Sequence, residues 1–398
     1  MRRAPLLSLL AVSACAGSVR STGADASTDA ADVTSSRCAW RVGEVRDLTF
    51  VGARSCELLD AVAGSWVLRV CTFEGAQSGV VLSRVDELGS ETVSTRFATD
   101  GATTDHLRNA ALAYDVRTGG GAMVLPSSTG PRLVEFDARG ATQRSSPLST
   151  ASSMFSLDAH RGPMRRAVGY GVIADQIRAL WGTSLLITDA RGAVTEVRNL
   201  DVDSDSQPTV SRFTLDDGGF ALGWVAPRGD MRVPLLMRVF DEEGRPHGDT
   251  LALESVAPRA RYAITGDAQG LVVAWENSVD TFPALTGVAL RSTDRNGAAR
   301  GPSVVLSSLG FYGGGLDVAL ARGGALVTAV VGSGLLRMVA LPTSRDGEAL
   351  EAPLMVSPVD PLGPDLTRTR AVVTERGALI AFQRTRDVVS VAALSCDQ

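Results

Sequence analysis

One four-residue turn recurs along this chain and sets what it can fold into. Asp86-Glu-Leu-Gly89, Asp137-Ala-Arg-Gly140, Asp189-Ala-Arg-Gly192, Asp241-Glu-Glu-Gly244 and Asp294-Arg-Asn-Gly297 share the form Asp-x-x-Gly, and Ser344-Arg-Asp-Gly347 is a looser sixth copy. The glycines step by 51, 52, 52, 53 and 50 residues. Asp at the first position and Gly at the fourth are what a type I turn prefers. The Asp side chain can cap the turn, and Gly enters the left-handed region without a Cβ penalty. Apolar runs such as Val80-Val-Leu82 and Leu133-Val-Glu-Phe136 precede the copies, and polar segments ending in apolar strands such as Ser303-Val-Val-Leu306 follow them. Each copy therefore reads as the hairpin between strands three and four of a repeated four-stranded sheet.

A second marker sits about 25 residues earlier in each unit, a glycine opening an apolar strand. Clear copies begin at Gly219, Gly270, Gly324 and Gly377; Gly64, Gly121 and Gly171 match less well, Gly171 worst. There are seven of these glycines against six Asp-x-x-Gly turns, and a seventh turn would fall near residue 400, past Gln398. Runs such as Leu271-Val-Val-Ala-Trp275 are apolar on consecutive residues, as strands covered on both faces are. The pattern predicts an all-β chain, and four-stranded repeats of this length predict a β-propeller. Seven blades fit best, with six or eight as alternatives. The last unit has room for about three strands (369–374, 378–384 and 388–395), so Trp40 to Val51 is expected to supply the fourth and close the ring. Closure removes a sheet edge that would otherwise invite aggregation.

Five cysteines are present. Setting aside Cys15 leaves Cys38, Cys56, Cys71 and Cys396, an even number with three possible pairings. Cys56 and Cys71 flank a turn at Asp60 to Gly64 on adjacent strands, which places them opposite each other. Cys38 on the closing strand and Cys396 on its neighbour would staple the ring. The chain-entropy model gives a 15-residue loop about 3 kcal/mol and a ring-closing bridge more than about 4.7 kcal/mol.

Hydrophobic residues make up 44% of the chain, enough for a large core. The net charge of -5 gives no reason to expect nucleic acid as a partner, since its phosphates need clustered cations. All 39 basic residues are arginine, a bias of composition.

The first fifteen residues read as an address. Arg2 and Arg3 precede an apolar stretch from Ala4 to Ala14, which is too short to span a bilayer that needs about 20 residues. Val12-Ser13-Ala14-Cys15 resembles a bacterial lipobox. Residues 16–37 are Ser, Thr, Ala, Gly and Asp with almost nothing large and apolar, the composition of a flexible tether. Lipobox and repeats together resemble bacterial propeller lipoproteins. The resemblance implies a signal peptide over 1–15, lipidation at Cys15, a tether over 16–37 and a propeller over 38–398. It also implies export and a lipid anchor in the cell envelope. Ala16 after the cysteine is the outer-membrane pattern in a Gram-negative cell.

Catalytic patterns are weak. His106, His160 and His247 stand in no recognised constellation, and there is no Gly-x-Ser-x-Gly, His-Glu-x-x-His or Cys-x-x-Cys. Asp201, Asp203 and Asp205 alternate as calcium-loop ligands do, but the sixth-position Gly is missing and Arg212 stands where a twelfth-position Glu belongs. Calcium is the sole cofactor with a candidate site; otherwise none is expected. The Asp-x-x-Gly turns depart from the sialidase Asp-box in spacing and lack its Trp, so they are structural. The glycine runs 119–121 and 313–315 have no phosphate-loop Lys and are turns. Trp66, Trp224, Trp275 and Phe382 fall inside apolar strands and read as inter-blade packing, which leaves Trp181 and Tyr312 as ligand-surface candidates. The expectation is a non-enzymatic binding or scaffold module that recognises a protein or glycan. A polysaccharide hydrolase or lyase with its site at the channel mouth is the first alternative, and a calcium-dependent adhesion protein the second.

Overall fold

The computed structural model describes residues 39–397 except 98–101, 109, 116–117, 128–129, 149–154, 162–165, 176–179, 189–193, 205–208, 215–218, 226–230, 242–243, 259, 279–285, 310–311, 322–323, 333–335 and 358–367; through 155–214 it describes mainly the backbone. The expected leader, lipidation site Cys15, tether and Cys38 lie outside these residues. No helix among the described residues is long and apolar enough to cross a membrane.

Seven four-stranded antiparallel sheets follow one another along the chain. In chain order they are sheet I (53–97), II (111–147), III (155–204), IV (209–256), V (262–305), VI (312–355) and VII (369–397). The first strand of every sheet is the inner one. Ala53–Val62, Ala111–Tyr114, Phe155–Arg161, Thr209–Thr214, Tyr262–Asp267, Tyr312–Ala321 and Thr369–Val373 neighbour one another in succession, and the last returns to the first. The ring is closed, and the fold is a β-propeller.

Sheet VII takes three strands from the end of the chain (Thr369–Val373, Gly377–Thr385 and Val388–Asp397), and Ala39–Leu48 pairs on its outside. Trp40 stands opposite Cys396 and Leu48 opposite Val389. The closing strand is shorter than Trp40 to Val51: beyond Leu48 the chain turns towards sheet I, and Val51 is 96% exposed.

The recurrent turns join strands three and four as their sequence implies. Gly89 N–H donates to the Asp86 carbonyl at 3.0 Å, and the Asp86 carboxylate accepts from the Leu88 and Ser90 N–H groups. Asp137 and Asp294 repeat that double capping. In the looser copy the Ser344 hydroxyl accepts from the Glu348 N–H at 3.0 Å. The glycines carry φ between 74° and 89° at Gly89, Gly140, Gly244, Gly297 and Gly347. They are also buried, because each turn packs on the preceding sheet. A Cβ on Gly297 would come within 2.9 Å of Leu251 and Met237, and one on Gly347 within 3.0 Å of Val304.

The second glycine answers a different constraint. A Cβ on Gly324 would lie 1.9 Å from the Thr343 carbonyl oxygen, and one on Gly377 2.0 Å from that of Leu394, so backbone of the third strand fills the space. Gly171 departs from the pattern: it lies within Arg166–Asp175 opposite Thr183 and does not open the strand.

The cores lie between sheets. Trp66 packs with Leu112, Met123 and Phe136 of sheet II. Trp224, Trp275 and Phe382 each pack on the sheet before their own. All four are at most 1% exposed, so they serve inter-sheet packing, as expected.

Candidate functional site

The inner strand of a propeller sheet has one edge with no partner strand, and its backbone groups need other partners. Where sheet VII meets sheet I, side chains supply them. Cys56 and Cys71 are directly opposite, with Cα atoms 4.1 Å apart and an S–S bond of 2.04 Å. Such a close pair is a non-hydrogen-bonded one, so the Cys56 N–H and carbonyl point away from the neighbouring strand. Both are taken up by sheet VII. Cys56 N–H donates to the Asp387 carbonyl at 2.8 Å, and Gln383 Nε2 donates to the Cys56 carbonyl at 2.9 Å. Two residues on, Leu58 N–H donates to Gln383 Oε1 at 2.7 Å, and Arg368 donates to the Leu58 carbonyl at 3.1 Å.

A cavity of about 450 Å³ opens beside this seam. It sits on the face where inner strands begin, bounded by sheets VII and I and by the connection that leads into sheet II. Arg108, Arg368 and Arg386 bring three guanidinium groups to its lining, against the carboxylates of Glu57 and Asp387. Arg108, which follows the short helix Thr104–Leu107, bonds Glu57 at 2.8 Å and Asp105 at 2.8 Å. Glu57 also faces Arg368 at 3.9 Å. The Arg386 guanidinium, on the hairpin after Gly377–Thr385, has no ion-pair or hydrogen-bond partner among the described residues. The rest of the lining is mainly small and polar (Ser55, Thr72, Thr104), with no aromatic ring.

The electrostatics favour one sign. Burial pushes the Arg368 guanidinium below its ordinary value; Glu57 opposes that shift, and Arg370 and Arg108 add to it. Deeper along the inner strands, Arg370 bonds Asp60 at 3.0 Å, and the other Asp60 oxygen accepts from the Leu112 N–H at 3.2 Å. Asp317 is half-buried there, and desolvation raises it to about 6 although Arg370 and the Ala371 N–H oppose the rise.

The cavity gathers few of the residues singled out from sequence. Cys56 is in its wall, and the Cys56–Cys71 bridge is present as expected. Cys396 is disulfide-bonded and stands one pair from Asp397–Ala39, while Cys38 lies outside the described residues. Trp181 is on the third strand of sheet III opposite Ile173, and Tyr312 opens the inner strand of sheet VI opposite Val331. Asp201 and Asp203 lie on the outer strand of sheet III, Val194–Ser204, and Asp205 lies outside the described residues. Among the described residues no cluster of His, Cys, Asp or Glu is placed to hold a metal. His247 is exposed on the outer strand of sheet IV. Sequence reasoning missed Arg108, Arg368 and Arg386. The available signal was the tripeptide Arg-Thr-Arg, at 368–370 and again at 384–386, at the start of one strand and the end of the next, its pairing partner.

No family model and no curated protein sequence matches the chain. Solved structures do. A Mycobacterium tuberculosis puromycin-hydrolyzing peptidase superposes with a TM-score of 0.53 at 16% identity, and a puromycin hydrolase with 0.52 at 17%. In both, 86% of this chain and 52% of the other are covered, so the chain spans about half the length of those enzymes. BBS1N, solved in complex with ARL6DN, superposes with a TM-score of 0.50 at 9% identity over 91% of this chain and 98% of that one. The chain is thus a β-propeller protein, with enzymes and non-enzymes alike among its structural neighbours, and fold alone does not choose between them.

Proposed function

We propose that this chain is a seven-bladed propeller lipoprotein, exported, anchored through Cys15 to the cell envelope and closed by a Cys38–Cys396 bridge. It acts as a non-enzymatic binding module, and its ligand seat is the cavity between sheets VII and I. One observation carries the reading: the cavity's Glu57 is engaged by two guanidinium groups, Arg108 at 2.8 Å and Arg368 at 3.9 Å. A glycoside-cleaving site needs a pair of carboxylates positioned across a bond, one of them able to give up a proton. A carboxylate clamped between arginines, in a polar pocket of ligand size, serves recognition better than proton transfer.

Two measurements test this. A fatty-acid label should enter the wild-type chain in cells and be lost in Cys15→Ser, with the protein released from the membrane fraction. The purified mature chain should retain isolated envelope polysaccharide without generating new reducing ends. Reducing ends that accumulate with time would replace the binding reading with the hydrolytic one.

A further inference from the structure

From the charge and polarity of that cavity we infer that it takes a polyhydroxylated carboxylic acid, of the size and chemistry of a hexuronic acid residue, with the carboxylate held between Arg368 and Arg386. The inference rests on the binding reading above and specifies its ligand.

The wall carries three guanidinium groups against two carboxylates. Glu57 is spent on Arg108 and Arg368, and the Asp387 carboxylate stands on an exposed turn with no ion pair among the described residues. Arg368 keeps 33% of its side chain exposed, and among the described residues it hydrogen-bonds the Leu58 carbonyl at 3.1 Å and faces Glu57 at 3.9 Å. Arg386 donates to nothing among the described residues. A partly desolvated cation and an uncommitted one beside it leave room for an added anion. Guanidinium forks match carboxylate geometry bidentately. The remaining wall brings the hydroxyls of Ser55, Thr72 and Thr104 and the Gln383 amide beside Cys56 and Val70, with no aromatic ring on which an apolar body could lie, and therefore suits a ligand dense in hydroxyl groups. The volume of about 450 Å³ is within the range of small-molecule sites and holds one or two sugar rings.

Calorimetric titration of the mature chain with sodium galacturonate, galacturonate methyl ester, glucose and sodium phosphate tests the assignment. The acid should saturate a single site, while the ester and glucose bind at least tenfold more weakly. Arg386→Gln should weaken acid binding at least tenfold with a nearly unchanged melting temperature, since the guanidinium makes no hydrogen bond or ion pair among the described residues. Arg368→Gln should weaken it further. Equal binding of acid and ester, or an unchanged affinity in Arg386→Gln, overturns the inference. Phosphate binding as tightly as the acid would make this a bare oxyanion site and also overturns it. If the acid fails to bind while envelope polysaccharide is still retained, the ligand assignment alone falls. If neither binds, the binding reading falls with it.

Discussion

The junction between sheets VII and I and the junction between sheets V and VI occupy equivalent places in the ring, yet they are held by different means. At V–VI the turn of sheet VI presses into sheet V: a Cβ on Gly347 would lie 3.0 Å from Val304, and Arg345 reaches both Asp267 oxygens at 2.8 and 2.7 Å. At VII–I the corresponding glycine, Gly89, has looser surroundings, its nearest neighbour being the Val391 carbonyl at 3.8 Å. The ion pair at the equivalent place has its charges exchanged, Glu87 with Arg376 at 3.2 Å, and Arg376 is 78% exposed. Along the inner edges of the sheets the contrast reverses. Among the described residues V–VI shows one backbone-to-side-chain bond between inner strands, from Leu320 N–H to Thr265 Oγ1 at 3.2 Å, whereas VII–I has Gln383, Arg368 and Asp387 all bonded to the Ala53–Val62 strand. At the closing junction directed hydrogen bonds do what turn packing does at V–VI. The same bonds bring arginines to the edge of a cavity.

The largest way to break the comparison is Gln383→Leu. It leaves the buried Leu58 N–H and the Cys56 carbonyl without their side-chain partner. At about 1–3 kcal/mol for each unsatisfied group the variant should lose about 3 to 4 kcal/mol of unfolding free energy. Thr265→Val at the other junction removes one acceptor and should cost about 1 kcal/mol. Equal losses in denaturant melts of the two variants would mean that the closing junction has no special dependence on directed bonds.

The part of this seam that was legible in the sequence was the local part. Cys56 and Cys71 are 15 residues apart around one turn, so strand pairing alone set them opposite each other. The Asp-x-x-Gly turns and the glycines before second strands were legible because backbone conformation and close carbonyl approach both demand glycine, and both recur with the repeat. The closing strand followed from the count of turns. The cavity was not legible, because its contacts join residues far apart in the chain: Gln383 and Leu58 are separated by 325 positions, and Arg368 and Leu58 by 310. No spacing rule links such pairs, and the exchanged charges of Glu87–Arg376 and Arg345–Asp267 show that equivalent places need not keep equivalent residues. Trp181 and Tyr312 drew notice by standing outside the repeat, whereas the cavity was built from arginines inside it.

Asp317 gives the next largest effect, through pH. Its folded value of about 6 lies above the ordinary carboxyl value of 3.8, with burial as the leading cause. Between those values the folded protein binds the proton more tightly than the unfolded chain does. The contribution is therefore present at low pH and fades as pH rises through about 6. Asp317→Asn cannot titrate, so the stability of the variant relative to wild type should rise by about 2 kcal/mol between pH 4 and pH 7. A constant difference across that range in chemical denaturation would show that Asp317 titrates normally.

Alanine at the turn glycines sharpens the packing half of the comparison. Both Gly297 and Gly89 hold positive φ, which costs a non-glycine residue about 1 kcal/mol. Only Gly297 adds a clash, at 2.9 Å from Leu251 and Met237. Gly297→Ala should lose about 2 kcal/mol or more, and Gly89→Ala about 1 kcal/mol.

The smallest difference is expected from the exchanged ion pairs. Arg345 is 19% exposed and spans both Asp267 oxygens, with a further bond to the Gly270 carbonyl at 2.9 Å. Burial pushes Asp267 up, but the Arg345 hydrogen bond and the Gln269 N–H outweigh it and leave the carboxyl below its ordinary value. A bidentate, half-sheltered pair of this kind is worth about 1–2 kcal/mol, an exposed one about 0–0.5 kcal/mol. Arg345→Ala should therefore lower the melting temperature measurably, while Arg376→Ala leaves it nearly unchanged. Because Asp267 must be ionised to hold its partner, the Arg345→Ala penalty should shrink as pH falls through the carboxylate range. An Arg376→Ala loss equal to that of Arg345→Ala would show that the exposed pair at the closing junction carries as much of the ring as the sheltered one opposite.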